Sequence, residues 1–294
     1  MSVWLPSAPC TPQACAATAG FRSAVPRAVL RLLVFLVVLV AGIALVPLVA
    51  RCAPARRDRL VRRWCRTLVR AMGVRVRISG TAVPDGGVLL VANHISWLDI
   101  PLLAVVRPAR MLAKTEIRAW PVAGALAELG GSLFIDRDRL RALPGTVAVI
   151  ASALRGGAAV AAFPEGSTWC GRAQGPFRRA VFQAALDAGV PVQPVRLAYR
   201  AQGESLSTAP AFVGEDHLGA SLWRVATARG LVADVEVRPA LTAAGHRRDL
   251  TAAAETSVTG IRAPHPAPNR IPSPARRPRL RPLRGPGRAP TAVH

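Results

Sequence analysis

Short runs rich in apolar residues alternate along the chain with longer stretches in which apolar residues recur every three or four positions. Seven runs of the first kind occur, at 74–78, 88–92, 111–113, 133–135, 158–163, 192–197 and 232–237. Such runs are typical of β-strands. Stretches with helical spacing lie between them, for example 140–154 and 177–188. This alternation predicts an α/β fold, with a mixed, largely parallel sheet flanked by helices.

The part of the chain before the first predicted strand contains one long apolar segment. Residues 32–50 include no charged side chain, and a helix of that length reaches about 28 Å, close to the hydrocarbon thickness of a bilayer. The segment therefore predicts an N-terminal membrane helix. A signal peptide is the alternative, because Arg27 and Arg31 precede the run. Against it, the run is long and no small-x-small cleavage site follows.

A basic segment with helical spacing follows the apolar one. Its arginines at 56, 59, 63, 66 and 70 share one face, and Leu60, Trp64, Leu68 and Met72 recur every four residues on another. The pattern predicts an amphipathic helix that lies on the membrane. An ordinary helix that packs Leu60 and Trp64 into the core fits the same spacing, so both interpretations stay open.

Positive charge is concentrated in two parts of the chain. The formal net charge is +23, and residues 51–77 contain ten arginines and one acid, whereas residues 262–294 contain eight arginines and no acid. A positive field beside an apolar segment suits an anionic membrane surface, and we do not expect nucleic acid as a partner. More arginine follows the apolar run than precedes it. The protein is therefore expected at the cell membrane, single-pass or monotopic, with its main domain in the cytoplasm.

Composition divides the chain into four parts. We expect a flexible N-terminal extension (1–27), a membrane helix with the basic amphipathic helix (28–73), an α/β domain (74–260) and a disordered Arg/Pro-rich tail (261–294). The five cysteines show no C-x-x-C spacing and no accompanying histidine cluster. They predict neither a metal site nor a disulfide framework, but free thiols in a reducing compartment.

Candidate chemistry begins where the predicted strand 88–92 ends, at Asn93 and His94, with Asp99 shortly after. Reactive groups in α/β sheets collect at the carboxyl ends of strands. On a regular helix two side chains five residues apart are separated by about 140°, so His94 and Asp99 meet only if a turn between them enters a helix. If they meet, Asp99 orients the imidazole and supports the imidazolium that forms when His94 takes a proton from a hydroxyl. Taken alone, the pair is also typical of a histidine that caps a turn beside a solvated carboxylate.

Three further segments follow this one in a recognisable order. Residues 131–137 read Gly-Ser-Leu-Phe-Ile-Asp-Arg, residues 163–167 Phe-Pro-Glu-Gly-Ser, and residues 190–195 Val-Pro-Val-Gln-Pro-Val. Together with residues 93–99 they resemble the four blocks of the glycerolipid acyltransferase family, typified by 1-acylglycerol-3-phosphate acyltransferase. The resemblance covers about residues 74–197 and implies an α/β layered domain on a helical membrane anchor.

The resemblance also implies roles for individual residues. His94 looks like the general base and Asp99 its partner, and Arg137 resembles the residue that binds the phosphate of the acceptor. Glu165 and its neighbours match the block that shapes the acceptor site. The substrate-binding residues expected on this basis are Asn93, Arg137, Glu165, Gly166, Ser167, Arg178 and Arg179. Ser96 is not expected to be an acylated nucleophile, because no Gly-x-Ser-x-Gly elbow surrounds it.

The reaction that the resemblance implies is transfer of a fatty acyl group to the free hydroxyl of lysophosphatidic acid in phospholipid biosynthesis. The donor would be acyl-CoA or acyl carrier protein, with no further cofactor and no metal. One position departs from the family pattern, since Thr168 stands where a phosphate-binding arginine is usual. Either Arg172, Arg178 or Arg179 supplies the missing charge, or the acceptor is not a phosphate monoester. Acyltransferases that complete ornithine lipids resemble this variant, so lyso-ornithine lipid is the alternative acceptor.

A function of another class stays open at this point. The chain would then be a membrane-tethered protein with an inactive acyltransferase domain, whose basic tail binds anionic lipid or nucleic acid. The tail contains no aromatic residue that could stack on bases, which argues against nucleic acid.

Overall fold

The computed structural model describes residues 8–16, 24–135, 140–201 and 206–260, which contain seven strands, nine α-helices and two short 3-10 helices, Thr115–Ala119 and Leu140–Ala142. The helices are α1 (Pro12–Cys15), α2 (Val25–Ala50), α3 (Pro54–Ala71), α4 (Asp99–Val106), α5 (Pro121–Leu129), α6 (Leu143–Arg155), α7 (Ala180–Ala188), α8 (Leu218–Thr227) and α9 (Arg247–Thr259). The strands are β1 (Arg75–Gly80), β2 (Val88–Ala92), β3 (Arg110–Lys114), β4 (Leu133–Ile135), β5 (Ala159–Ala162), β6 (Val192–Arg200) and β7 (Val232–Val237).

All seven strands form one sheet in the order β1-β7-β6-β2-β5-β3-β4. Neighbouring strands are parallel except β6 and β7, which pair antiparallel. The mixed, largely parallel sheet that the sequence predicted is confirmed. Each predicted strand corresponds to one observed strand. The central strands β2 and β5 are buried along their whole length and are uninterrupted apolar runs, whereas the edge strand β1 is mostly exposed.

Helices cover both faces of the sheet and create two hydrophobic cores. Alternate residues of β2 point to opposite sides, so Leu90 packs into one core and Leu89 into the other. The first core is completed by apolar residues of α3, α4 and α8, and the second by residues of α6, α7 and α9. Every residue of β2 is buried, which makes this strand the centre of the domain.

Helix α2 begins at Val25, earlier than the uncharged run and inside the segment expected to be flexible. The reason lies in Arg31, whose Nη1 donates to the carbonyl oxygens of Ala226 and Ala228, each at 2.8 Å. These carbonyls lie at the end of α8 and have no partner within that helix, so a cation stabilises them. The first turns of α2 are thereby attached to the α/β domain.

Helix α3 folds back along α2. Trp64 Nε1 donates to the carbonyl of Val38 at 2.9 Å, and a Cβ placed on Gly42 would lie 2.0 Å from the same nitrogen. Just beyond the end of α3, Met72 is fully buried in the core, whereas Leu60 is 38% exposed. Burial thus increases towards the end of the helix, and contact of its exposed turns with a membrane stays a prediction.

The predicted flexible extension contains a folded element. Residues 8–16 include α1, and Cys10 is buried in the first core. Thr11 caps this helix, with its hydroxyl oxygen accepting from the amide of Ala14 at 3.3 Å. The predicted disordered tail, 261–294, lies outside the described residues.

Candidate active site

The chain between β2 and α4 has the local structure that a His94–Asp99 contact requires. A turn follows β2, and α4 begins at Asp99 itself. His94 Nδ1 consequently lies 2.9 Å from Asp99 Oδ2. The structure thus brings together the two side chains that the sequence proposed as a base and its partner.

The Asp99 carboxylate is fully buried and surrounded by hydrogen-bond donors. Besides the imidazole, Oδ2 accepts from the amides of Ile95 at 2.6 Å and Ser96 at 2.8 Å, and Oδ1 accepts from the Tyr199 hydroxyl at 2.6 Å. A buried charge is tolerated only when its lone pairs are satisfied in this way. Burial, together with the neighbouring Asp99 charge, raises the pKa of Tyr199 well above its ordinary value, so the phenol stays a donor.

The His94 ring is oriented on two sides. Its Nδ1 is engaged by Asp99, and the Phe163 ring stacks on it with a centroid distance of 3.9 Å and an angle of 9° between the planes. The side chain is 20% exposed, so the imidazole lies at the surface of the domain rather than inside it. Nε2 is therefore the nitrogen that can take a proton from a bound molecule.

Glu165 lies behind His94 and holds its backbone. One carboxylate oxygen accepts from the His94 amide at 2.6 Å and the other from the Gly175 amide at 3.0 Å. The residue is 2% exposed, and desolvation raises the pKa of this carboxyl to about 8 against the opposing effect of the two amides. Each oxygen thus binds one backbone donor, so Glu165 has a structural role here, and its expected role in shaping the acceptor site stays a prediction.

Asn93 is a second residue whose expected role differs from its position. Its side-chain amide donates to the carbonyl of Leu197 at 2.9 Å and accepts from the amide of the same residue at 2.8 Å. Asn93 is buried and joins the end of β2 to β6. Both polar ends of the side chain bind the backbone, so the structure shows a structural role for Asn93, and the predicted substrate contact stays a prediction.

The loop after β5 is fastened to the residues around His94. The Trp169 amide donates to the carbonyl of His94 at 2.8 Å, and the Arg178 amide donates to the carbonyl of Pro164 at 2.8 Å. Gly166 occupies a turn with φ of 76°, a conformation that favours glycine. Ser167, which follows it, is partly exposed. The loop therefore carries a Gly166–Ser167 turn on a backbone that is anchored on both sides.

The basic residues expected to bind the acceptor are distributed unevenly. Arg178 and Arg179 are exposed just before α7, as is Arg172 in the loop. Thr168, at the position of the missing arginine, is partly exposed. Arg137 lies outside the described residues. Among the described residues, Arg172, Arg178 and Arg179 are thus positive side chains in or next to the loop that solvent can reach.

The strand order explains why these residues meet. β2 lies between β5 and β6, and all three are parallel, so their carboxyl ends share one edge of the sheet. His94 follows β2, Glu165 follows β5, and Tyr199 is near the end of β6. Tyr199 and the Phe163 ring are two parts of the site that were not predicted from the sequence. For Tyr199, the available sequence signal was its position a few residues beyond the last recognised segment, 190–195.

Comparison with known proteins gives consistent results. The sequence model of the acyltransferase family matches residues 74–198. The chain is 43% identical over 173 residues to the lyso-ornithine lipid O-acyltransferase of Pseudomonas aeruginosa, and the match covers 58% of this chain and 64% of that protein, just under two thirds of its length. It is 34% identical over 185 residues to the 1-acyl-sn-glycerol-3-phosphate acyltransferase of Neisseria meningitidis, covering 62% and 72% of the two chains.

A solved structure shows the same fold. The 1-acyl-sn-glycerophosphate acyltransferase of Thermotoga maritima superposes with a TM-score of 0.61, and the match covers 80% of this chain and 94% of that one. Its sequence identity is 18%. The structural comparison therefore supports the architecture, and the sequence relatives support the family.

Proposed function

The chain belongs to the acyltransferase family, and we propose that it transfers a fatty acyl group from a thioester donor to the free hydroxyl of a lysolipid. The observation that carries the proposal is the His94–Asp99 pair, with Nδ1 held at 2.9 Å from a buried carboxylate and Nε2 left available. An imidazole oriented in this way is suited to general-base catalysis.

The proposed mechanism uses no covalent enzyme intermediate. Nε2 of His94 removes the proton of the lysolipid hydroxyl, and the oxygen attacks the carbonyl carbon of the thioester. The resulting tetrahedral intermediate collapses, the carbon–sulfur bond breaks, and the leaving thiolate takes the proton from the His94 imidazolium. Asp99 stabilises that imidazolium, because its carboxylate already binds Nδ1.

The tetrahedral oxyanion needs hydrogen-bond donors. The amides of His94, Ile95, Ser96 and Gly166 are all engaged within the protein, to Glu165, Asp99 and the carbonyl of Phe163. Along the same loop, the amides of Ser167 and Thr168 have no acceptor among the described residues. We assign the oxyanion to these two amides.

For the acceptor we favour lyso-ornithine lipid. Thr168 replaces an arginine that would grip a phosphate monoester, and an ornithine headgroup carries an ammonium group beside its carboxylate. The 43% identity to a lyso-ornithine lipid O-acyltransferase supports the same choice. Lysophosphatidic acid is the second candidate, supported by the relative named 1-acyl-sn-glycerol-3-phosphate acyltransferase and by the exposed Arg172, Arg178 and Arg179.

The test is a parallel assay of the membrane-extracted protein with lyso-ornithine lipid and lysophosphatidic acid, each with labelled acyl-CoA and labelled acyl carrier protein. We expect preferential acylation of lyso-ornithine lipid, and loss of about 10²- to 10⁴-fold in rate for His94→Ala with every acceptor. Thr168→Arg should shift the preference towards lysophosphatidic acid. A parent protein that prefers lysophosphatidic acid would overturn the acceptor assignment, and an active His94→Ala variant would overturn the mechanism.

The products of such a reaction are membrane lipids, and the structure supports association with a membrane. In the described residues, α2 is the one helix long and apolar enough to cross a bilayer. We further propose that the association is monotopic, with the α/β domain at the cytoplasmic face. Residues 8–16, which precede α2, pack on the domain, and α3, which follows α2, runs back along it. The chain thus connects to the α/β domain at both ends of α2, on one side of the membrane.

A further inference from the structure

Three cysteine thiols that are far apart in the sequence converge beside the loop after β5. The Sγ atoms of Cys10, Cys15 and Cys170 all lie within 4.8 Å of one another. Cys10 and Cys170 are buried, and Cys15 is partly exposed. The sequence predicted no metal site because it contains no paired cysteine spacing. The fold assembles such a group from two distant segments instead.

The two N-terminal thiols are held in place by the local structure of α1. Cys10 directly precedes the Thr11 cap and Cys15 ends the helix. The amide of Cys15 donates to the carbonyl of Thr11 at 2.9 Å, and a Cβ on Gly214 would lie 3.1 Å from the carbonyl oxygen of Cys10. The segment is thus capped, hydrogen-bonded and packed against the domain, and both thiols are oriented before any ligand binds.

The third thiol lies in a loop whose backbone is anchored. Cys170 is buried and directly follows Trp169, whose amide donates to the carbonyl of His94 at 2.8 Å. The sulfur of Cys170 is therefore fixed beside the two N-terminal thiols.

The number and spacing of the sulfurs indicate a metal ion rather than a disulfide. Zinc–sulfur bonds of about 2.3 Å place sulfurs about 3.8 Å apart in a tetrahedral site, so the observed separations need to shrink by at most about 1 Å. A disulfide joins two sulfurs at about 2.05 Å and leaves the third without a role. Thiolate ligands select zinc and copper(I) among the common ions.

We propose that Cys10, Cys15 and Cys170 bind one thiophilic metal ion of the zinc or copper(I) class, with the remaining coordination position open to water. The ion cross-links the N-terminal segment to the loop that carries Glu165 and Trp169. It lies outside the His94–Asp99 site and takes no part in acyl transfer. The site is thus a structural clamp, and it does not depend on the proposed function.

The test uses the full chain in detergent, stripped of metal and kept reduced. Titration with Cd²⁺ should produce the ultraviolet sulfur-to-cadmium charge-transfer band and saturate at about one ion per chain. Zn²⁺ should compete for the same site and raise the melting temperature by a few degrees. Cys10→Ala, Cys15→Ala and Cys170→Ala should each weaken Cd²⁺ binding at least tenfold.

Two cysteines outside the cluster serve as matched controls. Cys52→Ala removes a partly exposed thiol and Cys65→Ala a buried one, and both variants should keep the band and the zinc-dependent shift. Cys15→Ala keeps the test decisive if a buried variant fails to fold, because Cys15 is partly exposed. A parent protein with no cadmium band, an undiminished band in Cys15→Ala, or a Cys10–Cys170 disulfide that forms in the presence of zinc would each overturn the proposal.

Discussion

At the scale of single residues, the candidate site depends on how the Asp99 carboxylate is satisfied. Oδ2 receives the imidazole and two amides, whereas Oδ1 receives the hydroxyl of Tyr199, the sole tyrosine of the chain. Among the described residues this phenol is the partner of Oδ1. Tyr199 therefore positions the carboxylate that in turn positions His94.

Removing the hydroxyl with Tyr199→Phe should lower both the free energy of unfolding and kcat. The buried Oδ1 loses its donor, which costs about 1–3 kcal/mol of the free energy of unfolding. We expect kcat to fall by roughly tenfold, with little change in the KM of the acceptor, because the dyad is disturbed and the binding surface is not. Thr251→Val is the matched control, since it deletes another mostly buried hydroxyl, bonded to the carbonyl of Arg247 at 2.7 Å. An equal loss of kcat in that control would argue against a positioning role for Tyr199.

The raised pKa of Glu165 predicts a pH-dependent stability of the protein. A carboxyl whose pKa is raised to about 8 holds its proton in the folded state while the unfolded chain, with an ordinary pKa near 4.5, has lost it. The folded state then binds more protons, so the free energy of unfolding falls as pH rises between these two values, by up to about 1.4 kcal/mol per pH unit. Below the ordinary pKa of a glutamate this stabilisation is fully present.

The Glu165→Gln variant should lack this dependence. We expect the stability of the parent relative to the variant to decrease between about pH 5 and about pH 8, measured as the midpoint of denaturant unfolding in detergent. Asp187→Asn provides the control, because Asp187 is exposed, and it should leave the pH profile of the parent unchanged. A constant difference between parent and Glu165→Gln across this range would show that the carboxyl does not titrate there.

At the scale of elements, the α2–α3 hairpin is stabilised by a close contact. Gly42 allows the Trp64 ring to approach the backbone of α2, where Nε1 binds the carbonyl of Val38 at 2.9 Å. Any side chain at position 42 would overlap the indole. The glycine, which weakens a helix in isolation, is here the residue that lets the two helices pack.

Gly42→Val should therefore separate the two helices. Overpacking of a close contact costs about 1–3 kcal/mol, so we expect a clear decrease in the melting temperature of the detergent-solubilised protein. Ala41→Val places the same side chain on the neighbouring, exposed position of α2 and should be nearly neutral. If both variants melt like the parent, the hairpin contact does not contribute to stability.

At the scale of the whole molecule, the contacts of α2 constrain how the protein meets a bilayer. The N-terminal end of the helix is attached to α8 through Arg31, and residues 8–16 pack on the domain. Helix α3 follows α2 and contains many arginines. Charged side chains are costly in the hydrocarbon region of a bilayer, so α3 is not expected to form a second crossing. These contacts support insertion of α2 and α3 into one leaflet.

The monotopic arrangement predicts that both termini lie on one side of the membrane. Epitope tags at residue 1 and residue 294 should be equally protected from protease in intact cells and equally cleaved after the membrane is opened. A protein whose tags differ in protection would instead have α2 crossing the bilayer. We also expect detergent, but not high salt, to extract the protein from the membrane, because apolar residues of α2 such as Leu36 and Val37 are exposed in the described chain.

The sequence by itself predicted the strands of the sheet, the long apolar helix and the candidate pair of His94 and Asp99. A buried strand leaves an apolar run, a long apolar helix excludes charge, and His94 with Asp99 lies at the end of such a run, so each was visible in local spacing. The tertiary structure alone decided which donors surround Asp99, that Glu165 binds the His94 backbone, that Asn93 joins two strands, and that Cys10, Cys15 and Cys170 meet. These pairings depend on the strand order, which places β2 between β5 and β6. Spacing along the chain carries no information about that order, because contacts between distant segments are selected by the packing of the whole core.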